Sequence, residues 1–159
     1  MAEADRLFCE RYNGSDGGRR STLLATFPLM SEIYLRLHEA TRFTNGTKMT
    51  ILSGHDTVIG PVLASLDIYK NGCKWPPYAS RIIFELWQRK SEGVQMQSAQ
   101  KEEYFVRVIY NGKDVTHEIP YCTKAAGGSP LCPLAAFKAQ IDAMLGDAPS
   151  LDEACSREV

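Results

Sequence analysis

The chain has 159 residues, of which 44% are hydrophobic and 23% charged, and its formal net charge is −1. This length and composition suit one globular domain with a core of its own. The charge is too close to zero for a nucleic-acid-binding surface, and no apolar run reaches the roughly 20 residues that span a bilayer. We therefore predict that this segment contacts neither nucleic acid nor membrane.

The N-terminal part of the chain predicts a loop followed by a helix. Residues 1–20 are polar, are unlike a secretory signal and end in a stretch rich in glycine and arginine. We therefore divide the chain into a loop-rich segment, 1–20, and a domain, 21–159. Apolar residues recur at spacings of three and four over residues 21–38, which predicts a helix that Pro28 either divides or kinks.

A strand and a second helix are predicted next. Residues 49–53 are mostly apolar, have the length of a strand and lack helical periodicity, so they predict a buried strand. Pro61 suits the first turn of a helix over residues 61–68. A strand, a loop and a helix in this order form half of the unit that builds parallel α/β sheets. Functional groups gather at the carboxyl ends of such strands, where His55 and Asp56 are expected.

The second half of the chain predicts a β-hairpin and a final helix. The proline-rich residues 75–78 exclude regular helix. Residues 80–88 and 104–110 are typical of strands, and the polar residues 91–101 between them predict a hairpin connection. Apolar positions on one face predict a helix over residues 132–145.

The five cysteines favour an oxidising compartment. None forms a C-x-x-C pair or has a histidine at zinc-ligand spacing, so no metal site is predicted. Cys122 and Cys132 flank a flexible stretch that allows them to pair, and the odd count leaves one thiol without a partner in the chain. Two N-glycosylation triplets begin at Asn13 and Asn45. Together these features predict a disulfide-bonded glycoprotein of the secretory pathway.

Of the three histidines, His55 is the candidate functional residue. His38 lies within a predicted helix and His117 follows a turn, so both are predicted to be ordinary surface residues. His55 closes the predicted strand and is followed directly by Asp56, which brings an imidazole and a carboxyl group together. An aspartate at such a junction also serves as a turn or helix-capping residue. The dipeptide alone leaves both interpretations open.

Other catalytic patterns are absent from the sequence. It contains neither a G-x-S-x-G nucleophile turn nor a phosphate-binding G-x-x-x-x-G-K-[ST] loop. The two tryptophans, Trp75 and Trp87, are predicted to be packing residues. No cofactor is predicted.

The context of His55 resembles that of the histidine acid phosphatases. The resemblance covers most of residues 21–157, in the order found in that family. It is carried by Ile51-Leu52-Ser53-Gly54-His55-Asp56-Thr57, Ala64-Ser65-Leu66-Asp67-Ile68-Tyr69, Pro76-Pro77-Tyr78-Ala79-Ser80, Phe84-Glu85-Leu86-Trp87, Tyr110-Asn111-Gly112 and Cys132-Pro133-Leu134. It implies an α/β fold, namely the C-terminal part of a three-layer histidine phosphatase fold of the phosphoglycerate-mutase type, here incomplete.

The resemblance also implies a reaction and a role for each residue. In this family a histidine attacks the phosphorus of a monoester, and water hydrolyses the resulting phosphohistidine. By resemblance, His55 is the second histidine, which binds the phosphate, and Asp56 is the acid that protonates the leaving alkoxide. Residues 81–88 and 106–116 most resemble a Golgi branch of the family that acts on a phosphorylated sugar in the glycosaminoglycan linker. The implied substrate is a phosphomonoester.

One family motif is missing. The nucleophile and the phosphate-binding arginines belong to Arg-His-Gly-x-Arg-x-Pro, and no histidine in this chain is preceded by arginine or followed by glycine. We therefore expect the isolated chain to be inactive, and the missing N-terminal half of the domain to be its partner. Two alternatives are a non-catalytic phosphate-binding or regulatory fragment and a structural domain in which the pair only shapes a turn.

Overall fold

The computed structural model describes residues 2–14, 18–43, 46–71, 73–89, 103–125, 127 and 129–157. The α-helices are α1 (Ala2–Asn13), α2 (Gly18–Ala40), α3 (Asp56–Ser65), α4 (Pro120–Ala125), α5 (Leu134–Asp142) and α6 (Leu151–Ser156). Short three-ten helices span Ile68–Asn71, Thr116–Glu118 and Ala143–Leu145. The strands are β1 (Ile82–Gln88), β2 (Tyr104–Tyr110), β3 (Lys113–Asp114) and β4 (Cys132–Pro133).

The four strands form one antiparallel sheet around β2. β1 pairs with β2 along its whole length, from Ile82 opposite Tyr110 to Gln88 opposite Tyr104, and β3 and β4 also pair with β2. Both long strands lie where the sequence predicts them, while the predicted hairpin connection falls outside the described residues. The mixture of helices and sheet confirms the predicted α/β class, as part of a domain.

The core joins the central strand to three helices. Val106 and Val108 lie two residues apart on β2, so their side chains share one face of the sheet, and both are fully buried. The same cluster contains Met30 of α2, Leu63 of α3 and Phe137 of α5, all equally buried. Each such side chain contributes about 1.5–3 kcal/mol through burial, so these contacts hold α3, which carries the predicted site, against the sheet.

The prediction of a loop over residues 1–20 is wrong for α1. Arg6 forms ion pairs with glutamates three and four residues away, a spacing that stabilises a helix. Phe8 is 2% exposed and packs into the core. Most of this helix is polar and exposed, so its sequence resembles a surface loop. The boundary between a segment 1–20 and a domain 21–159 remains a prediction.

The helix predicted over residues 21–38 exists as α2, which runs from Gly18 to Ala40 with Pro28 inside it. The predicted division at Pro28 does not occur, because the helix continues on both sides of this proline. The final helix is also confirmed. It consists of α5 followed by the three-ten turn Ala143–Leu145.

Residues 49–53 do not form the predicted buried strand. Every residue from 46 to 55 is exposed, and none is in a strand. A strand requires a neighbour that satisfies its backbone hydrogen bonds. All strands in the described part of the chain belong to the sheet around β2, so no neighbour is present here. The apolar side chains of Met49, Ile51 and Leu52 are consequently exposed by 58–79%.

Helix α3 begins five residues before the predicted start at Pro61, at Asp56. The residue before a proline normally avoids helical geometry, because its Cβ and N–H clash with the proline ring. Gly60 lacks a Cβ, which relieves part of this clash. The same absence lets the Phe8 ring approach, since a Cβ on Gly60 would lie 2.0 Å from Phe8 Cζ. One glycine therefore lets the helix continue and lets α1 dock on it.

Two disulfides cross-link the chain, one between cysteines 64 positions apart and one between cysteines 10 positions apart. Cys9 of α1 is bonded to Cys73, and Cys122 of α4 is bonded to Cys132 of β4. Cys155 is exposed and carries a free thiol, which confirms that one cysteine lacks a disulfide partner in the chain. Disulfides persist in oxidising compartments and therefore indicate the secretory pathway. Within the described ranges, no helix is both long and apolar enough to cross a membrane.

Candidate active site

His55 lies at the start of α3. Its backbone is extended, with φ −102° and ψ 173°, and it occupies the N-cap position. Its carbonyl oxygen accepts hydrogen bonds from the backbone N–H groups of Val58 at 2.9 Å and Ile59 at 3.0 Å. The residue is exposed, and within the described part of the chain its imidazole has no hydrogen-bond partner. The imidazole is therefore accessible to a ligand at the positive end of the helix dipole.

Asp56 is the first residue of α3, and both of its carboxyl oxygens accept hydrogen bonds. Oδ1 accepts the backbone N–H of Thr57 at 2.8 Å, and Oδ2 accepts the indole N–H of Trp75 at 2.6 Å. His55 and not Asp56 occupies the N-cap position of α3, and the interpretation of Asp56 as a turn residue stays open. Its negative charge still interacts favourably with the helix N-terminus. The contacts restrain the orientation of the carboxyl group.

Trp75 is the residue at this site that sequence reasoning missed. It was predicted to be a packing residue, and its ring does lie 4.8 Å from the Phe8 ring, measured between centroids. It is nevertheless 43% exposed, and its indole N–H is directed to Asp56. The two residues are 19 positions apart and share no periodic pattern. No sequence signal indicates this contact.

Two hydrogen bonds hold the backbone of the segment that carries Trp75. The backbone N–H of Trp75 donates to Asp5 Oδ1 of α1 at 2.9 Å. The hydroxyl of Tyr69 donates to the Lys74 carbonyl at 3.0 Å. Burial raises the pKa of Tyr69, and the nearby Tyr110 and Asp5 raise it further, so the phenol keeps its proton for this bond at any ordinary pH.

The other two histidines lie outside this arrangement. His38 stacks on Tyr34 within α2, with 5.7 Å between the ring centroids. His117 is exposed, and its carbonyl oxygen accepts a hydrogen bond from the Thr123 hydroxyl at 2.6 Å. A cavity of about 270 Å³ opens beside His117 and the Cys122–Cys132 disulfide, but neither His55 nor Asp56 lines it. The predicted site is thus an open surface, distinct from that cavity.

The structure describes no metal-binding cluster. In the ranges that it covers, no three histidine, cysteine, aspartate or glutamate residues are grouped closely enough to hold an ion.

Comparison with known sequences defines the class of protein. The histidine phosphatase superfamily (branch 2) matches residues 8–111, a range that includes α3, His55, Asp56 and both long strands. The chain belongs to this superfamily. The match confirms the resemblance to the histidine acid phosphatases and extends it into α1.

Within the superfamily, the chain is similar to several individual proteins. 2-Phosphoxylose phosphatase 1 of Danio rerio is 31% identical over 127 residues, which cover 75% of this chain and 25% of the relative. The human protein of the same name is 30% identical over 144 residues, or 86% of this chain and 28% of the relative. Human prostatic acid phosphatase is 36% identical over 109 residues, or 69% of this chain and 24% of the relative. No solved structure matches the chain.

The matches cover only part of each relative. The chain spans about a quarter of the length of the curated relatives that it matches. Membership in the superfamily and the α/β architecture are properties of this chain.

Proposed function

We propose that this chain forms part of a phosphomonoester hydrolase of the acid phosphatase type, which works through a phosphohistidine intermediate. The observation that carries the proposal is the His55-Asp56 pair at the N-terminus of α3, within the region that matches the superfamily. An exposed imidazole and a restrained carboxyl group side by side suit the binding and protonation of a phosphate ester.

His55 is proposed to bind the phosphoryl oxygens. A protonated imidazole forms charge-assisted hydrogen bonds to phosphate, which are about twice as strong as neutral ones. The positive end of α3 favours the same anion.

Asp56 is proposed to protonate the leaving group. When the phosphorus–oxygen bond of an alkyl ester breaks, the departing oxygen takes the carboxyl proton and leaves as an alcohol. This step matters because an unprotonated alkoxide is a poor leaving group. Water then attacks the phosphohistidine, which releases inorganic phosphate and regenerates the nucleophile, while the Asp56 carboxylate takes up a proton from that water.

The attacking histidine is not supplied by this chain. The sequence contains no Arg-His-Gly-x-Arg-x-Pro, and neither His38 nor His117 has the flanking residues of that motif. We infer that the missing part of the family domain supplies the motif and covers the exposed apolar residues near the site. Met49, Ile51 and Leu52 adjoin His55 and need an apolar neighbour.

The names of the relatives support a specific substrate. Two matched proteins are named for 2-phosphoxylose, a sugar phosphate, and another is named as an acid phosphatase. We propose that the complete enzyme dephosphorylates 2-phosphoxylose in the glycosaminoglycan linker. A Golgi location with glycosylation at Asn13 or Asn45 is part of the same proposal. Asn13 is the last residue of α1, while Ser15 of its triplet and Asn45 lie outside the described residues.

The test uses the purified 159-residue chain. We expect no hydrolysis of para-nitrophenyl phosphate above the buffer rate, because the nucleophile is missing. Inorganic phosphate should still bind weakly. We expect His55→Ala to reduce this affinity about 10–100-fold, the value of a charge-assisted hydrogen bond, whereas His117→Ala, an equally exposed histidine, should have no effect. Equal effects of both variants would contradict the assignment of His55.

A non-catalytic role is the second candidate, and the absence of the nucleophile motif favours it. In this case the half-site binds phosphate or a phosphorylated partner without hydrolysing it. The sequence of the transcript upstream of Met1 separates the two candidates. An in-frame Arg-His-Gly-x-Arg-x-Pro supports the hydrolase, and a translation start at Met1 supports the binding role. If phosphate does not bind, with or without His55, the pair only shapes a turn.

A further inference from the structure

We propose that Trp75 is a positioning residue that holds the carboxyl group of Asp56 in place through its indole N–H. The proposal rests on the proposed function, because Asp56 is the proton donor in that mechanism. It adds a residue, from a segment 19 positions away, that no catalytic pattern in the sequence contains.

The geometry restrains the carboxyl group from two directions. The Trp75 indole N–H reaches Oδ2 at 2.6 Å, and the Thr57 backbone N–H reaches Oδ1 at 2.8 Å. Rotation of the carboxyl group about its Cβ–Cγ bond would break both bonds. Each oxygen retains a second lone pair, so a transferable proton can still be carried. A proton donor fixed in this way meets the leaving oxygen without a search for the right orientation.

Trp75 is itself fixed by α1. The ring of Trp75 packs on Phe8, and its backbone N–H donates to Asp5. The Cys9–Cys73 disulfide ties the chain two residues upstream of Trp75 to the same helix. A ring contact, a backbone hydrogen bond and a disulfide two residues upstream thus join the segment around Trp75 to α1.

Trp87 provides an internal reference. It is 47% exposed, similar to Trp75, and its indole N–H also donates to a carboxylate, Glu85 Oε2, at 3.0 Å. Glu85 is two residues away on the same strand, so this bond is local and does not involve α3. A change at Asp56 should therefore affect Trp75 and leave Trp87 unchanged.

The contact is tested first by NMR on the 159-residue chain labelled with ¹⁵N, at constant neutral pH. The two tryptophans give two indole N–H resonances, which Trp75→Phe and Trp87→Phe assign. In Asp56→Ala the Trp75 resonance should move upfield and its proton should exchange faster with water, while the Trp87 resonance stays in place and reports an intact fold. Asp56→Asn, which keeps the shape of the side chain, should give a smaller shift in the same direction. An unchanged Trp75 resonance in both variants would overturn the proposal.

The role of Trp75 in catalysis is tested by comparing two substrates whose leaving groups differ in their need for a proton. In the complete domain, Trp75→Phe should lower kcat for an alkyl phosphate about tenfold without raising KM, because only the poor leaving group depends on a well-placed acid. With para-nitrophenyl phosphate, whose leaving group needs little protonation, the same variant should retain most of its activity. Trp87→Phe should resemble the wild type with both substrates.

Different results would refute the proposed function and the positioning role of Trp75. If the complete wild-type domain has no phosphatase activity, the proposed function is wrong, and the NMR result still decides the contact. If Trp75→Phe slows both substrates equally, or raises KM alone, Trp75 supports the structure only, and its positioning role is refuted.

Discussion

Replacement of Gly60 by alanine tests whether the docking of α1 on α3 depends on a missing side chain. In an ordinary helix this change stabilises by about 1 kcal/mol. Here the new Cβ would lie 2.0 Å from Phe8 Cζ, about 1.5 Å short of the distance of about 3.5 Å at which carbon atoms make contact. Phe8 cannot retreat freely, because its ring packs on Tyr12 at 4.7 Å and on Trp75 at 4.8 Å.

The expected cost follows from these opposing terms. Overpacking of a core costs about 1–3 kcal/mol. The helix propensity of alanine offsets part of it, although an alanine before Pro61 loses some of that gain. We expect Gly60→Ala to lower the free energy of unfolding by about 1–2 kcal/mol, measured by urea denaturation followed by circular dichroism.

A double-mutant cycle with Phe8→Ala separates the clash from other effects. The three atoms nearest to the new Cβ all belong to the Phe8 ring, so without this ring the cost of the alanine at position 60 should fall by at least about 1 kcal/mol. An equal cost in both backgrounds, or a Gly60→Ala protein that is more stable than the wild type, would refute this explanation of the glycine.

Three further predictions concern the sheet and the free thiol. Thr116→Val should cost about 1–3 kcal/mol in unfolding free energy and Thr116→Ser much less, because the buried Thr116 hydroxyl is the partner of the Val108 N–H at 2.8 Å. Burial disfavours ionisation of Asp114, but hydrogen bonds from Thr116 and Arg107 outweigh it and hold the pKa of Asp114 below its ordinary value of 3.8. The ionised carboxylate therefore stabilises the fold above pH 3.8, and this stabilisation is lost as the pH falls through the lowered pKa. The free energy of unfolding should therefore decrease less on acidification in Asp114→Asn than in the wild type. Under native conditions a thiol reagent should label Cys155 alone, and Cys155→Ser should abolish labelling while stability changes by less than about 0.5 kcal/mol.

The sequence predicts an element well where its pattern depends on neighbours close in the chain. Strands β1 and β2 follow from β-branched and aromatic residues and from the turn at Asn111-Gly112, and they pair over seven residues each. Helix α5 follows from its apolar face. In each case a local signal and the tertiary structure agree.

Two of the wrong predictions concern segments in which the local signal and the tertiary structure disagree. Helix α1 is stabilised by ion pairs and one buried aromatic residue, which leave a polar sequence. Residues 49–53 have the composition of a buried strand, but a strand also requires a partner. Composition specifies what a segment can form, whereas its pairing depends on residues far away in the chain.

The candidate site also contains both kinds of residue, those with a local sequence signal and one that depends on distant contacts. His55 and Asp56 can be identified as candidate residues from the sequence, because a short motif and its context resemble a family. Trp75 could not be identified, because its bond to Asp56 depends on the docking of α1, the Cys9–Cys73 disulfide and the start of α3 together. A contact of this kind appears only when the chain is folded.

The exposed segment and the candidate site lie side by side, and this has a chemical consequence. Met49, Ile51 and Leu52 lead directly into His55, so whatever covers these apolar side chains also approaches the imidazole. Exclusion of water there would strengthen each hydrogen bond to a phosphoryl oxygen, because charges interact more strongly in a less polar medium. The surface that completes the fold and the surface that completes the reaction are therefore expected to be the same. A partner that bound away from Met49, Ile51 and Leu52 would leave these apolar side chains exposed and His55 open to water.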